Sequence, residues 1–372
     1  MALHTTQPNI LNDTDGMHAA LAQAAMALYT ATPNPRVGCV IVRGGEVLAE
    51  GHTQPTGFAH AEAHALHHAS QHGVDVRGAT AYVSLEPCSH HGRTPPCADA
   101  LIKAGIARVV VALEDPNPLV AGQGLARLRA AGIDVSTGVL ADEAREINRG
   151  FLHRMQHARP WVRMKIAASL DGGTALQNGE SQWITSNQAR DDGHAWRARA
   201  CALLTGIGTV QQDDPQLTVR AVTTPRQPRR IVIDSHLQIS SQAKVLQGDS
   251  SWIFSAVSDG AREKQLRDQG HEVVQLADAD GKVDLRAMML ELGRREINEL
   301  HVEAGFKLNG SLLRAGVVDE LLLYVAPCLL GPSQGLARLP ALAHLADRMA
   351  FEFHEVERVG PDLRLRLMRV NR

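Results

Sequence analysis

The chain has 372 residues, more than one hydrophobic core usually serves, so two domains are expected. It is 44% hydrophobic and 21% charged but only 3% aromatic, the composition of a soluble globular protein with aliphatic cores. A formal net charge of -2 gives no general attraction to nucleic acid or membrane surfaces, so any phosphate must be met by a local group of cations.

In chain order, an Ala/Leu/Met pattern predicts a helix over 16–29, ended by the Pro33-Asn34-Pro35 turn. VGCVIVR and EVLAEGH flank Gly44-Gly45 and predict a hairpin. A helix rich in Ala and His follows over 60–72, then strand ATAYVSLE, a helix over 97–104, strand ARVVVAL, helix GLARLRAAG and a strand over 133–136. A closing helix over 141–157 and the linker Ala158-Arg159-Pro160 end this α/β layered domain.

A second alternation starts at WVRMKIA. Further strands are expected at ACALLTG, RRIVID, SWIFSA, EVVQL, ELHVEA and DELLLYVAP, with helices over 187–199, 262–269, 284–294 and 309–315 and terminal strands over 351–354 and 363–368. The domains are placed at 1–158 and 159–372.

Five cysteines, an odd number, argue for reduced thiols rather than a disulfide framework. Cys39, Cys201 and Cys328 sit in apolar runs and read as buried thiols, whereas Cys88 and Cys97 have polar, Pro-rich surroundings. With His60 they make a candidate zinc site, because catalytic zinc takes three nitrogen or sulfur ligands and leaves a fourth position for water. Glu62 is the candidate general acid/base, carrying a proton from that water to a departing amine. The H-x-E and Pro-Cys pattern resembles that of the zinc deaminases. His90 and His91 are rival fourth ligands for a closed, structural site. His64, His67, His68 and His72 read as surface or packing residues.

The SHHGRTPP segment between the two cysteines, PNPRVG at 33–38 and the Gly51-His52 pair resemble the riboflavin-pathway pyrimidine deaminases. That resemblance implies a cytidine deaminase-like three-layer α/β domain acting on a phosphorylated aminopyrimidinone, with Asn34, His52, His90 and Arg93 as substrate contacts. An Asn amide can read a pyrimidine edge, and Arg93 can meet phosphate.

In the second domain, Gly206-Ile207-Gly208 lacks the third glycine of a Rossmann fingerprint. VEAGFKLNGSLL instead offers a strand, a glycine and a helix start, where backbone amides can receive phosphate. With MKIAASLDG, ESQWITS, DDPQLTVR and RRIVIDS, it resembles the riboflavin-pathway reductases. The resemblance implies a dihydrofolate reductase-like α/β domain that uses NADPH to turn a ribosylamino group into a ribitylamino group. It places Ala167, Trp183, Thr209, Asp213, Ser235 and the loop Gly305, Phe306, Lys307, Leu308, Asn309, Gly310 and Ser311 at the cofactor. It places Lys165, Ser181, Arg197, Leu217, Arg220 and Glu303 at the substrate.

No apolar run approaches a membrane span and the N-terminus lacks a signal-peptide pattern, so a cytoplasmic enzyme is expected, without nucleic-acid or membrane partners. The resemblance implies a homodimer or larger homo-oligomer. Two rival readings are a zinc nucleotide or RNA deaminase with a non-reducing second domain, and a non-enzymatic, zinc-stabilised nucleotide-binding protein.

Overall fold

A side-chain cap fixes the first helix. Asn12 accepts the Asp15 N–H at 3.0 Å and starts α1 (Asp13–Met26) earlier than the expected 16–29. The structure, a computed structural model, describes residues 9–89, 96–117 and 121–370 and falls into two units, Met1–His157 and Ala158–Arg372. The expected contacts His90 and Arg93, and the rival ligand His91, lie outside the described residues.

Gly44 and Gly45 both take positive φ, the geometry of a primed two-residue turn. They join β1 (Gly38–Arg43) and β2 (Glu46–His52) into the expected antiparallel hairpin. There follow α2 (Ala61–Gln71), β3 (Thr80–Val83), α3 (Cys97–Lys103), β4 (Arg108–Val111), α4 (Gln123–Ala130), β5 (Asp134–Thr137) and α5 (Ala141–His157). The sheet order is β2-β1-β3-β4-β5, with β1 antiparallel to β2 and β3 and the last three strands parallel. Ala61, Ala65 and Ala69 form a buried stripe at i+4 spacing on α2. Their small size lets α2 lie close on β2, so close that a Cβ on Gly51 would come within 2.5 Å of the Ala65 nitrogen. That approach sets the start of α2 beside the end of β3.

The second unit comprises β6 (Trp161–Ser169), β7 (Ala175–Leu176), α6 (Asn187–Arg199), β8 (Ala202–Gly206), α7 (Ile207–Asp213), β9 (Arg229–Ile233), β10 (Ser251–Ser255), α8 (Gly260–Asp268) and β11 (Glu272–Gln275). After these come α9 (Leu285–Arg294), β12 (Glu299–Val302), α10 (Phe306–Arg314), β13 (Glu320–Ala326), β14 (Ser333–Gln334), β15 (Phe351–Val359) and β16 (Asp362–Arg369). Nine strands form one sheet, β11-β10-β9-β8-β12-β6-β13-β16-β15, parallel from β11 to β13 and antiparallel at β16 and β15. The run turns back where β12 returns between β8 and β6. In open parallel sheets, the carboxyl ends of strands at such a reversal form a ligand crevice.

Two differences from expectation bear on function. The helix placed at 309–315 begins at Phe306, directly after Gly305, and α7, which follows β8 without a break, was not expected at all. No helix among the described residues is long and apolar enough to cross a membrane.

Candidate active sites

His60 is the capping residue at the start of α2, Cys97 is the first residue of α3, and Cys88 lies in the turn after β3. Their ligand atoms all lie within 4.8 Å of one another. His60 Nδ1 is 3.6 Å from Cys88 Sγ and 3.5 Å from Cys97 Sγ, and the Cys97 N–H donates to Cys88 Sγ at 3.3 Å. Among the described residues, this is the single group of three or more His, Cys, Asp or Glu side chains arranged to hold a metal ion.

The donor set fits a divalent metal. A hydrogen bond from Cys97, opposed by burial and aided by His60, lowers the Cys88 thiol to about 4. The same hydrogen bond, then burial, raises the Cys97 thiol far above its ordinary value. The protein alone therefore ionises one sulfur of the pair, and a shared cation is what allows both to be thiolates. Glu62, 3% exposed, stands within hydrogen-bonding reach of Cys97. Burial, then the Cys88 charge, raises its carboxyl to about 7, which suits a group that must both take and give a proton.

Around this centre, Arg36 ties the PNPRVG segment to α5: its N–H donates to Asn148 Oδ1 at 2.8 Å, and Asn148 Nδ2 returns a bond to the Arg36 carbonyl at 2.9 Å. Asn34 lies two residues before this anchor. His64 is more than the packing residue it was expected to be. Its Nδ1 accepts the His52 N–H at 3.3 Å and lies 3.2 Å from Gln54 Nε2, so α2 fixes the end of β2 that carries His52. Glu86, which sequence reasoning passed over, accepts four backbone N–H groups, from Asp115, Gly122, Gly124 and Leu125, at 2.9 to 3.2 Å. It thereby anchors the segment carrying Cys88 to the start of α4.

In the second unit, a cavity of about 230 Å³ lies at the strand ends, lined by Lys165, Ala167, Ser181, Thr209, Asp213, Glu303, Gly305, Phe306 and Asn309, all expected site residues. Thr174, Ala175, Gln212 and Gln334 also line it and were not expected; the β7–β14 ribbon, which has no long apolar pattern, contributes Ala175 and Gln334, and Thr174 immediately precedes β7. Glu303 is gripped by Arg197 through two bonds, at 2.5 and 2.8 Å, and lies 3.4 Å from His301 Nε2. Burial lowers the Lys165 ammonium, partly offset by Glu303. The first amides of α10, a nine-residue helix, belong to Phe306 and Lys307, a placement that fits a phosphate-bearing cofactor.

Some expected contacts change role. Arg197 has its fork on Glu303 and donates Nη1 to the Thr218 carbonyl at 3.1 Å, so its guanidinium is already engaged, whereas Arg220 is exposed and donates Nη1 to Thr218 Oγ1 at 2.9 Å. Leu217 is 4% exposed within an apolar cluster including Leu203, Val210 and Leu237, so it can offer a substrate its backbone rather than its side chain. Gly310 is pressed against the Arg338 backbone, where a Cβ would come within 2.1 Å of the carbonyl oxygen; its part is packing inside α10. Asn309 donates Nδ2 to the Leu336 carbonyl at 3.1 Å. Trp183 is 69% exposed, with the Arg190 guanidinium 4.3 Å from its ring centre. Ser235, Leu308 and Ser311 line a separate cavity of about 480 Å³.

An imidazole and two thiols beside a buried glutamate, followed by a parallel sheet with a cavity at its reversal, define a nucleobase deaminase joined to a reductase. Residues 11–113 match the cytidine and deoxycytidylate deaminase zinc-binding region, and residues 160–365 match the RibD C-terminal domain. The chain is 48% identical over 365 residues to the riboflavin biosynthesis protein RibD of Escherichia coli, covering 95% of this chain and 98% of that one. Its fold is similar to that of Acinetobacter baumannii RibD (TM-score 0.87, 39% identity, 96% of this chain and 99% of the other). It is similar also to a diaminohydroxyphosphoribosylaminopyrimidine deaminase/5-amino-6-(5-phosphoribosylamino)uracil reductase of Thermotoga maritima (TM-score 0.85, 31% identity, 96% and 99%). The chain belongs to the RibD family of riboflavin biosynthesis proteins and is a bifunctional deaminase and reductase.

Proposed function

We propose that the first unit hydrolyses the ring 2-amino group of 2,5-diamino-6-(5-phosphoribosylamino)pyrimidin-4(3H)-one, giving 5-amino-6-(5-phosphoribosylamino)uracil and ammonia. The second unit then reduces the ribosyl group of that product to ribityl with NADPH. The convergence of His60, Cys88 and Cys97 within 4.8 Å beside buried Glu62 carries this reading.

His60, Cys88 and Cys97 are assigned to zinc, which when bound supplies the Lewis acidity that makes water nucleophilic at neutral pH. Glu62 takes a proton from the attacking water and delivers it to the departing nitrogen, so the C–N bond breaks with ammonia as leaving group. Asn34 and His52 are assigned to the pyrimidine, with His64 orienting His52. His90 and Arg93 are assigned to the substrate by resemblance.

In the second unit, Lys165 and ionised Glu303 share one cavity, a proton donor facing a proton acceptor. That pairing suits opening of the ribose ring to an imine-like species, which needs a proton at the ring oxygen and one removed from the attached nitrogen. NADPH, when bound, supplies hydride to the first ribose carbon. Ser181, Arg220 and the Leu217 backbone orient the substrate, while Ala167, Thr209, Asp213, Trp183, Ser235 and the start of α10 hold the cofactor.

The test supplies the diaminopyrimidinone to purified protein and follows ammonia and NADPH absorbance separately. Ammonia should appear without NADPH, and NADPH should be consumed only once the deaminated product exists. Ammonia release that never leads to NADPH oxidation would remove the second half of the proposal, and no ammonia release would remove the first.

A further inference from the structure

On β12, Leu300 and Val302 join the apolar cluster of Val162, Met164 and Leu204, so by strand alternation Glu299, His301 and Glu303 share the opposite face. Glu303 lines the 230 Å³ cavity, and His301, wholly buried, stands behind it with Nε2 3.4 Å from Glu303 Oε1. Among the described residues, neither ring nitrogen has a better-placed hydrogen-bond partner. The register sets His301 beside Leu203 on β8 and Arg163 on β6. An apolar side chain would pack there without the cost of a buried polar ring, so the imidazole calls for a use.

Its surroundings fix its state. Burial holds the His301 pKa below the ordinary 6.5 against the pull of Glu303, and the charges of Arg163 on β6 and Arg197 on α6 act in the same direction as burial. Glu299, the other carboxylate on this face of β12, is taken by Arg163 at 3.1 Å and Arg199 at 2.8 Å. The imidazole is therefore neutral at neutral pH, with one nitrogen that donates and one that accepts. Ionised Glu303 only accepts, so the proton belongs on Nε2.

The two carboxylate oxygens are then unequal. Oε1 takes Arg197 Nε at 2.5 Å and the imidazole N–H, whereas Oε2 takes Arg197 Nη2 alone, at 2.8 Å. The oxygen with fewer donors is the more basic.

We propose that His301 is a positioning residue of the reductase step: its neutral imidazole donates Nε2–H to Glu303 Oε1, holds the carboxylate in one orientation and leaves Oε2 to take the substrate's proton. The inference rests on the reductase reading above and deepens it. The N–H bond beside the ribose breaks and an O–H bond forms on Oε2. The electron pair left on nitrogen builds the C=N bond, and the ring C–O bond opens as its oxygen is protonated by Lys165. Two anchors on Oε1 mean that the acceptor is aligned before the substrate arrives.

The test compares His301→Leu, which fills the space without a donor, with His301→Gln, whose amide keeps one. NADPH oxidation is followed across pH with supplied deaminated product. His301→Leu should lower kcat about tenfold and move the acid limb of kcat/KM up by about one pH unit, with the KM for NADPH nearly unchanged. His301→Gln should restore most of both, which a packing role alone would not require. A long-range proton–nitrogen spectrum of the wild type, with His301 assigned by the signal missing from His301→Gln, should show the neutral Nε2–H tautomer at neutral pH. The role is overturned by His301→Leu with wild-type kcat and acid limb, by His301→Gln no better than His301→Leu, or by a His301 signal of imidazolium or of the Nδ1–H tautomer. In each of these cases NADPH oxidation by the wild type leaves the reductase reading standing. A wild type that consumes no NADPH with that product removes the reductase reading and this role with it.

Discussion

Arg197 and Glu303 face each other as a two-bond ion pair, Nε to Oε1 at 2.5 Å and Nη2 to Oε2 at 2.8 Å, with only 17% of either side chain exposed. Burial alone would raise the Glu303 carboxyl, but the Arg197 charge and hydrogen bond, then His301 and Lys165, hold it well below the ordinary range. Two residues that the sequence suggests as separate substrate contacts thus form one electrostatic unit linking α6 to the end of β12.

Replacing Arg197 with Met removes the cation and leaves burial as the main influence on Glu303. Its carboxyl should then protonate at a higher pH than in the wild type, so the acid limb of kcat/KM for NADPH oxidation should move upward. Below that point the variant's rate should fall about tenfold per pH unit. Arg197→Lys should return part of the shift, and the pH profile of ammonia release should stay where it was. An acid limb that does not move would show that Glu303 ionisation is not what the pair protects.

Glu62→Gln tests the other unit. The amide keeps the volume of the carboxyl but cannot carry a proton, so ammonia release should drop by roughly 10²–10⁴ while elemental analysis still finds metal. NADPH oxidation with supplied deaminated product should continue at the wild-type rate. Native ammonia release by this variant would remove Glu62 from the chemistry.

The metal-binding side chains were readable in the sequence because each sits in a short pattern with its own chemistry: His60 and Glu62 two residues apart, Cys88 after a proline and Cys97 at a helix start. Helices α5 and α6 were readable for a similar reason, since their boundaries are marked locally. The start of α10 was not. Its capping residue, Gly305, makes no side-chain bond, so nothing in the sequence marks Phe306 as the first helical residue. Arg163 looks like a stray charge in strand WVRMKIA, yet it is 1% exposed and bonds Glu299, 136 residues further along. Such pairings depend on strand order, which local pattern does not encode.

Glu86 was hidden in the same way, because its four N–H partners, Asp115, Gly122 and two residues in the first turn of α4, lie about 30 to 40 residues downstream. Glu86→Ala would leave those donors unpaired, at about 1–3 kcal/mol for each that stays buried. Because Cys88 follows two residues later, the looser loop should cost roughly 10- to 100-fold in zinc affinity, measured by competition with a chelator. Unchanged zinc affinity with lowered thermal stability would mean that Glu86 supports the fold but not the metal site.

Glu320 sits at the centre of a buried ionic cluster in the second unit. It accepts from Trp161 Nε1 and Arg366 Nε, both at 2.8 Å, and lies 3.0 Å from Arg163 Nη2. Burial raises its carboxyl, but Arg163 and Arg366 more than reverse this and bring it to about 2, against an ordinary value of 4.5. An acid depressed in the folded state contributes its full stabilisation above the unfolded value and loses it as pH falls toward the folded one, so the window runs from about 4.5 down to about 2. The gap is worth roughly 3 kcal/mol. All four tryptophans, Trp161, Trp183, Trp196 and Trp252, belong to the second unit, so their fluorescence follows that unit alone through urea unfolding. The wild-type midpoint should fall steeply between about pH 4.5 and about pH 2, the window set by Glu320. Glu320→Gln should start from a lower midpoint at neutral pH and fall less over the same range, because the carboxylate that titrates is gone and Arg163 and Arg366 have lost a buried counter-charge. Parallel curves for the two proteins would place the acid sensitivity of this unit elsewhere.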